Sequence, residues 1–243
     1  MRITIIALVM CLATACNKEN PDSTFTGLPL IPDLPSAAVD SVFKGHYLAL
    51  GDSYTIGQSV PSKDRFPNQS VSLLLTDSIQ LTLEIIAQTG WTTRNLLSNL
   101  DSKPPVRSVY DMVTLLIGVN NQYQRLTQDQ YRTEFDSLLN RSIAYAGFRK
   151  KRVFVLSIPD YSVTPFGSGN GSALIAGQID SFNFINRQLT LNAGCNYLDI
   201  TTSTRQALND PGLVAGDGLH PSGREYYKWA ALLAPLVKSA LHK

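Results

Sequence analysis

The sequence predicts an α/β fold, a parallel sheet with helices on both faces. Short apolar runs alternate with longer amphipathic segments from Tyr47 to the C-terminus, and the helical segments open on capping residues. The candidate strands are residues 47–50, 81–87, 109–117, 153–158 and 197–200. Between the third and fourth, Tyr131, Phe135, Leu138, Leu139, Ile143 and Ala146 recur at helical spacing, and Thr127 with Gln130 reads as a capping box at the start. A second helix carries Ile175, Ile179, Phe182 and Leu189, with Gly194 as its stop. Ser222 and Glu225 read as another capping box, opening a last helix with Tyr226, Trp229, Ala230 and Leu233 on one face. Pro235 is expected to kink or break that helix. Strand and helix in alternation call for right-handed crossovers. Ligands then bind beyond the carboxyl ends of the strands.

The N-terminus reads differently. Met1 and Arg2 precede an apolar run, and small residues at Thr14 and Ala15 precede Cys16, so residues 1–15 read as a secretory signal. The run is shorter than the roughly 20 residues that cross a bilayer as a helix. Leu12-Ala13-Thr14-Ala15-Cys16 also resembles a bacterial lipobox, which implies lipidation of Cys16; the alternative is an ordinary cleavage site beside an incidental cysteine. Residues 16–42 carry four prolines among small and polar residues without apolar periodicity, which fits a lipidated N-terminus and a flexible tether. Residues 43–243 then form one domain.

The chain has 3 cysteines and a formal net charge of +2. Cys11 leaves with the signal and Cys16 takes lipid, so Cys195 remains alone and reads as a packed core residue. The near-neutral balance gives no basic face for nucleic acid. No polybasic membrane patch stands out either, so the membrane is expected to be met through the lipid anchor only. The expected location is outside the cytoplasm, at a membrane.

Four turns fall on the rim where ligands are expected: Gly51-Asp52-Ser53-Tyr54, Thr89-Gly90-Trp91-Thr92, Gly118-Val119-Asn120-Asn121 and Asp217-Gly218-Leu219-His220-Pro221. A serine hydroxyl needs an adjacent base to become a nucleophile. Of the 3 histidines, His46 lies at the far end of the first strand and His242 in the terminal tail, which leaves His220 as that base. Asp217, one turn away in a glycine-containing loop, is suited to orient the imidazole. The oxyanion formed by attack needs waiting donors. The backbone N–H groups of Ser53 and Gly90 and the side-chain amide of Asn120 are the candidates.

These four blocks resemble the SGNH, or GDSL-type, hydrolase family, whose serine, glycine, asparagine and histidine match Ser53, Gly90, Asn120 and His220 in order. The resemblance covers residue 46 to the end. It implies a three-layer α/β/α fold with a five-stranded, flavodoxin-like parallel sheet, a Ser-His-Asp triad and activity on esters. Two departures bear on the pocket: Asn121 stands where the family usually has Asp, and Trp91 follows Gly90 where it often has Asp.

Blander readings exist for each residue. Ser53 alone fits a helix N-cap, Asp52 a turn holder, Asn121 a structural amide, and Tyr54, Trp91, Tyr161 and Phe166 either pocket lining or packing. A metallophosphoesterase needs several histidine and carboxylate ligands, which three scattered histidines do not provide. The common α/β-hydrolase needs Gly-x-Ser-x-Gly, and the chain has none. Neither a metal nor another cofactor is expected. The expected partner is a small-molecule or glycan ester; the rival is a non-catalytic carbohydrate binder on the same fold.

Overall fold

The computed structural model describes residues 42–169 and 171–241. The expected signal, Cys16, most of the tether and His242 lie outside the described residues. Five strands form one parallel sheet in the order β2-β1-β3-β4-β5: β1 Phe43–Gly51, β2 Ile79–Ala87, β3 Met112–Leu116, β4 Val153–Leu156 and β5 Asn196–Leu198. The helices are α1 Ser53–Ile56, α2 Phe66–Thr76, α3 Thr93–Ser102, α4 Val119–Tyr123, α5 Gln128–Tyr145, α6 Ser172–Asn192, α7 Thr201–Thr204 and α8 Gly223–Leu241. α2 packs on α8, while α3, α5 and α6 form a contiguous row, so helices flank the sheet as a layer on each face. This is the three-layer, flavodoxin-like arrangement expected.

The core follows from strands buried on both faces. Leu48, Leu50, Met112, Leu115 and Phe154 are buried, which is why these segments read as continuous apolar runs rather than alternating ones. Trp229 of α8 is fully buried, with the Phe66 ring of α2 at 6.0 Å and the Tyr226 ring at 4.9 Å.

Several boundaries differ from expectation. β1 starts at Phe43 rather than 47, because Phe43 to His46 pair with β2 although Lys44-Gly45-His46 carries no apolar pattern. β3 starts at Met112 rather than 109: the Tyr110 N–H bonds to the Tyr145 carbonyl and so leaves the ladder. β4 and β5 stop at Leu156 and Leu198, two residues short of the apolar runs, and Ser157 there holds the chain through its hydroxyl to the Ile200 N–H at 2.9 Å. α2 and α3 had no counterpart in the strand and helix pattern. Their buried stripes are short, Phe66-Ser70-Leu74 with a polar residue in the middle and Leu96-Leu100, too few apolar repeats for periodicity to stand out.

Both expected capping boxes form one half. The Gln130 N–H bonds to Thr127 Oγ1 at 3.2 Å, and the Glu225 N–H to Ser222 Oγ at 3.4 Å. Their side chains go elsewhere: Gln130 donates to Glu134, and Glu225 accepts from Trp229 Nε1 at 2.8 Å. A full reciprocal box sits instead between Thr92 and Asn95 at the start of α3. Pro235 does not break α8, which continues to Leu241. Pro235 is exposed while Leu233, Ala234 and Val237 beside it are buried, so packing holds the helix together across the missing N–H.

Candidate functional site

The site is built where β1, β2 and β3 release the chain. Gly51 closes β1, and the reason is space: a Cβ there would stand 2.1 Å from Thr55 Oγ1 and 2.4 Å from the Leu116 carbonyl oxygen. Asp52, not Ser53, is the N-cap of α1, with its Oδ1 accepting from the Tyr54 N–H at 3.0 Å. That leaves Ser53 as the first helical residue, its hydroxyl turned to the cleft. Burial pushes the Asp52 carboxyl up to about 7, and the Tyr54 N–H pulls the other way.

Ser53 and His220 lie 167 residues apart in sequence, yet His220 Nε2 is 3.0 Å from Ser53 Oγ. His220 Nδ1 is 2.7 Å from Asp217 Oδ2. The loop locks itself: Asp217 Oδ1 accepts from the backbone N–H groups of Leu219 and His220, both at 2.9 Å. Ser59 Oγ donates to Asp217 Oδ2 at 2.5 Å. Burial opposes ionisation of Asp217, but the Ser59 hydroxyl, the Leu219 N–H and His220 hold its carboxyl well below the usual carboxylate range. Asp217 is therefore an anion across the neutral range. The Tyr54 ring packs against the imidazole at 5.0 Å.

The expected oxyanion donors meet here too. Ser53, Gly90 and Asn120 line one cleft of about 220 Å³, together with Tyr54, Tyr161 and Phe166. Asn120 Nδ2 donates to the Trp91 carbonyl at 2.9 Å and lies 3.5 Å from Asp52 Oδ2, so two neighbouring turns set its orientation. The glycine before α4, Gly118, has φ +132° and a Cβ there would stand 2.6 Å from the Tyr131 ring.

Trp91 does not line the cleft. Its chain turns at once into the Thr92 cap of α3, and the indole packs against the core. Tyr123, Thr89, Val119 and Leu219 line it instead. Tyr123 had a signal of a kind, since it stands three residues after Asn120 on the same helical turns. Ser59, 158 residues from Asp217, had none. Cys195 is buried and its thiol is pushed up to about 11 by burial, which suits packing and not nucleophilic chemistry. Among the described residues no group of three or more His, Cys, Asp or Glu side chains is placed to hold a metal ion.

Asn121 is structural and fully buried. Its Oδ1 accepts from the Thr93 N–H at 3.0 Å, and its Nδ2 donates to Thr93 Oγ1 at 2.6 Å, while that hydroxyl donates to Glu134. An Asp at 121 has no proton to give, and the single Thr93 hydroxyl proton would then face two carboxylates. Asn121→Asp is expected to cost about 1–3 kcal/mol of stability, the range for a spoiled buried hydrogen bond. A thermal melt followed by circular dichroism reads it; kcat should change less than about tenfold, since Asn121 lies behind the cleft and not in it.

The comparisons with known proteins bear on the family and the fold. No curated protein matches the sequence. Among solved structures, Axe2, an acetylxylan esterase from Geobacillus stearothermophilus, superposes with a TM-score of 0.61 at 17% identity, over 84% of this chain and 97% of its own. TesA gives 0.62 at 15%, over 81% and 99%. The lipase/acylhydrolase from Enterococcus faecalis gives 0.60 at 16%, over 80% and 96%. At such identities these likenesses establish the fold. The family is established by sequence: the model of the GDSL-like lipase/acylhydrolase family matches residues 49–227, a stretch that contains all four of the rim turns. The chain accordingly belongs to the GDSL-like lipase/acylhydrolase family and is a serine ester hydrolase.

Proposed function

We propose that Ser53 is the nucleophile, His220 the general base and Asp217 the residue that orients it, in the hydrolysis of short-chain carboxylic esters. The observation that carries this reading is the unbroken hydrogen-bond chain from Ser53 Oγ through both ring nitrogens of His220 to Asp217. Asp217 holds the Nδ1–H tautomer, so Nε2 is free to take the serine proton as Oγ attacks the ester carbonyl. The carbonyl oxygen becomes an oxyanion, met by the N–H groups of Ser53 and Gly90 and by Asn120 Nδ2. The imidazolium then gives its proton to the departing alcohol, leaving an acyl group on Ser53. Water enters, loses a proton to His220 and attacks the same carbonyl. Collapse returns the proton to Ser53 and releases the acid.

The cleft of about 220 Å³ is smaller than the roughly 300–1,000 Å³ of sites that enclose drug-sized ligands. That favours a short acyl group over a long one. Tyr123 and Phe166 stand half-exposed at the mouth, 6.1 Å apart, where aromatic faces suit the apolar face of a sugar ring. An acylated carbohydrate is thus the favoured substrate, and acetylxylan esterase activity in the structurally similar Axe2 is compatible with it. A panel of aryl esters tests the reading. kcat/KM is expected to peak between acetyl and butyryl and to fall at least about tenfold by octanoyl, the scale on which extra methylenes are discriminated. A steady rise to long chains would overturn it, and failure of a fluorophosphonate probe to label Ser53 would favour a non-catalytic carbohydrate binder.

We further propose that the protein is exported and held at a membrane by lipid on Cys16, with residues 17–42 as tether. The small residues before Cys16 support this. No helix among the described residues is long and apolar enough to cross a membrane.

A further inference from the structure

We propose that the end of the domain opposite the cleft is a membrane-facing surface that binds anionic lipid headgroups. The idea rests on the anchored location proposed above and is independent of the catalytic reading. In a parallel sheet all strands enter from one end, so the residues just before β1, β2, β3 and β4 share a rim, and Ser53 and Asn120 lie at the other. On the entering rim stand Lys44, Arg149, Lys150, Lys151 and Arg152, with Lys238 from the end of α8.

Carboxylates offset part of this charge. Asp111 pairs with Arg149 at 3.4 Å and Arg152 at 3.2 Å, and Asp77 with Lys238 at 2.6 Å. Lys44, Lys150 and Lys151 have no carboxylate partner among the described residues, so the rim carries a positive surplus that the chain's near-neutral total conceals. Four of these cations form one run, Arg149 to Arg152, and strand order sets Lys44, more than a hundred positions away, on the same rim.

Apolar side chains lie among the cations. Phe148 is 78% exposed next to Arg149, with Val42 48% and Leu236 38% exposed on the same end. A groove of about 610 Å³ runs between Phe148, Lys150, Lys151, Asn196 and Leu236. Exposed aromatic and aliphatic groups among lysines and arginines are the composition of an interfacial surface, where stems and rings enter the headgroup layer and charges stay at phosphate level. The chain also enters the domain here: the Arg152 guanidinium lies 5.9 Å from the Phe43 ring centroid at the start of β1. A domain bound by this rim would hold the cleft away from the bilayer, open to substrate.

The test uses the mature chain from position 16 with Cys16→Ser, so that no acyl anchor contributes. Its sedimentation is measured with phosphatidylcholine vesicles with and without about one-third phosphatidylglycerol. Binding is expected only with phosphatidylglycerol, and should vanish when ionic strength rises from about 0.1 M to about 1 M, where the screening length drops from about 10 Å to about 3 Å. Each surface cation contributes roughly fivefold in partitioning, so the double variant K150E/K151E should lose at least about tenfold. Phe148→Ser should lose severalfold, and neither variant should alter hydrolysis of a soluble aryl ester without vesicles. Equal binding to both vesicle types, or no effect of K150E/K151E, overturns the proposal. Tighter binding to a DNA duplex than to vesicles overturns it in favour of nucleic acid. The anchor is read separately, by labelled fatty acid incorporation into the wild-type chain in a bacterial host and its loss in Cys16→Ser.

Discussion

Ser53→Ala and His220→Ala are each expected to lower kcat by on the order of 10³ or more, and the double variant by little beyond either one. The two side chains perform one act, proton removal during attack, and among the described residues His220 is the one side chain hydrogen-bonded to the Ser53 hydroxyl, at 3.0 Å. Asp52 is adjacent in sequence, but its carboxylate faces the Tyr54 N–H and Asn120 and cannot take over. What remains in the variants is binding and oxyanion stabilisation. Steady-state kinetics on one activated ester checks this, and losses that multiply independently would show that Ser53 and His220 do not act as a unit. Asp217→Asn belongs with them: an amide at 217 can present a donor to Nδ1, and the imidazole loses both its fixed tautomer and the anion that steadies its charged form.

The second large effect is at Asn120. Asn120→Ala is expected to reduce kcat by roughly 10²–10³, the loss for one oxyanion donor, with KM nearly unchanged because that bond strengthens mainly in the transition state. Asn120→Asp should be at least as harmful. It sets a negative charge against the developing oxyanion, and it also places a second carboxylate about as close to buried Asp52 as the 3.5 Å amide now stands. The Trp91 carbonyl, which now accepts from Asn120 at 2.9 Å, would lose its donor as well. Kinetics with a circular dichroism control for folding separates this from Asn121→Asp, whose expected defect is in stability. Equal kinetic damage at 121 would mean that the block is aligned one residue off.

The layers were legible in the sequence, and so were the residues proposed to carry the chemistry. Strands buried on both faces must be apolar throughout, and flanking helices must be amphipathic, so their alternation was visible from Tyr47 onward. The four rim turns were visible for a related reason: three follow a strand directly and the fourth stands just before α8, and Gly51 and Gly118 stand where a Cβ would strike a neighbour. His220 could be singled out because this chain has just 3 histidines.

The rest depends on contacts between distant segments. Ser59 reaches Asp217 because α1 and the loop before α8 meet at the cleft, and nothing in either segment announces the other. Thr93, Asn121 and Glu134 come from three elements, so the cost of an aspartate at 121 was invisible until Thr93 was seen to spend its one proton on Glu134. Trp91 was left open between pocket lining and packing by its place beside Gly90, and the start of α3 turned it to the core. The basic rim is a mixed case: the run Arg149 to Arg152 stands in the sequence, while its place beside Phe148, Leu236 and Lys44 at the end opposite the cleft comes from strand order. Periodicity reports how each segment buries its own face, whereas strand order fixes which segments become neighbours, and that order is settled by the packing of the whole sheet.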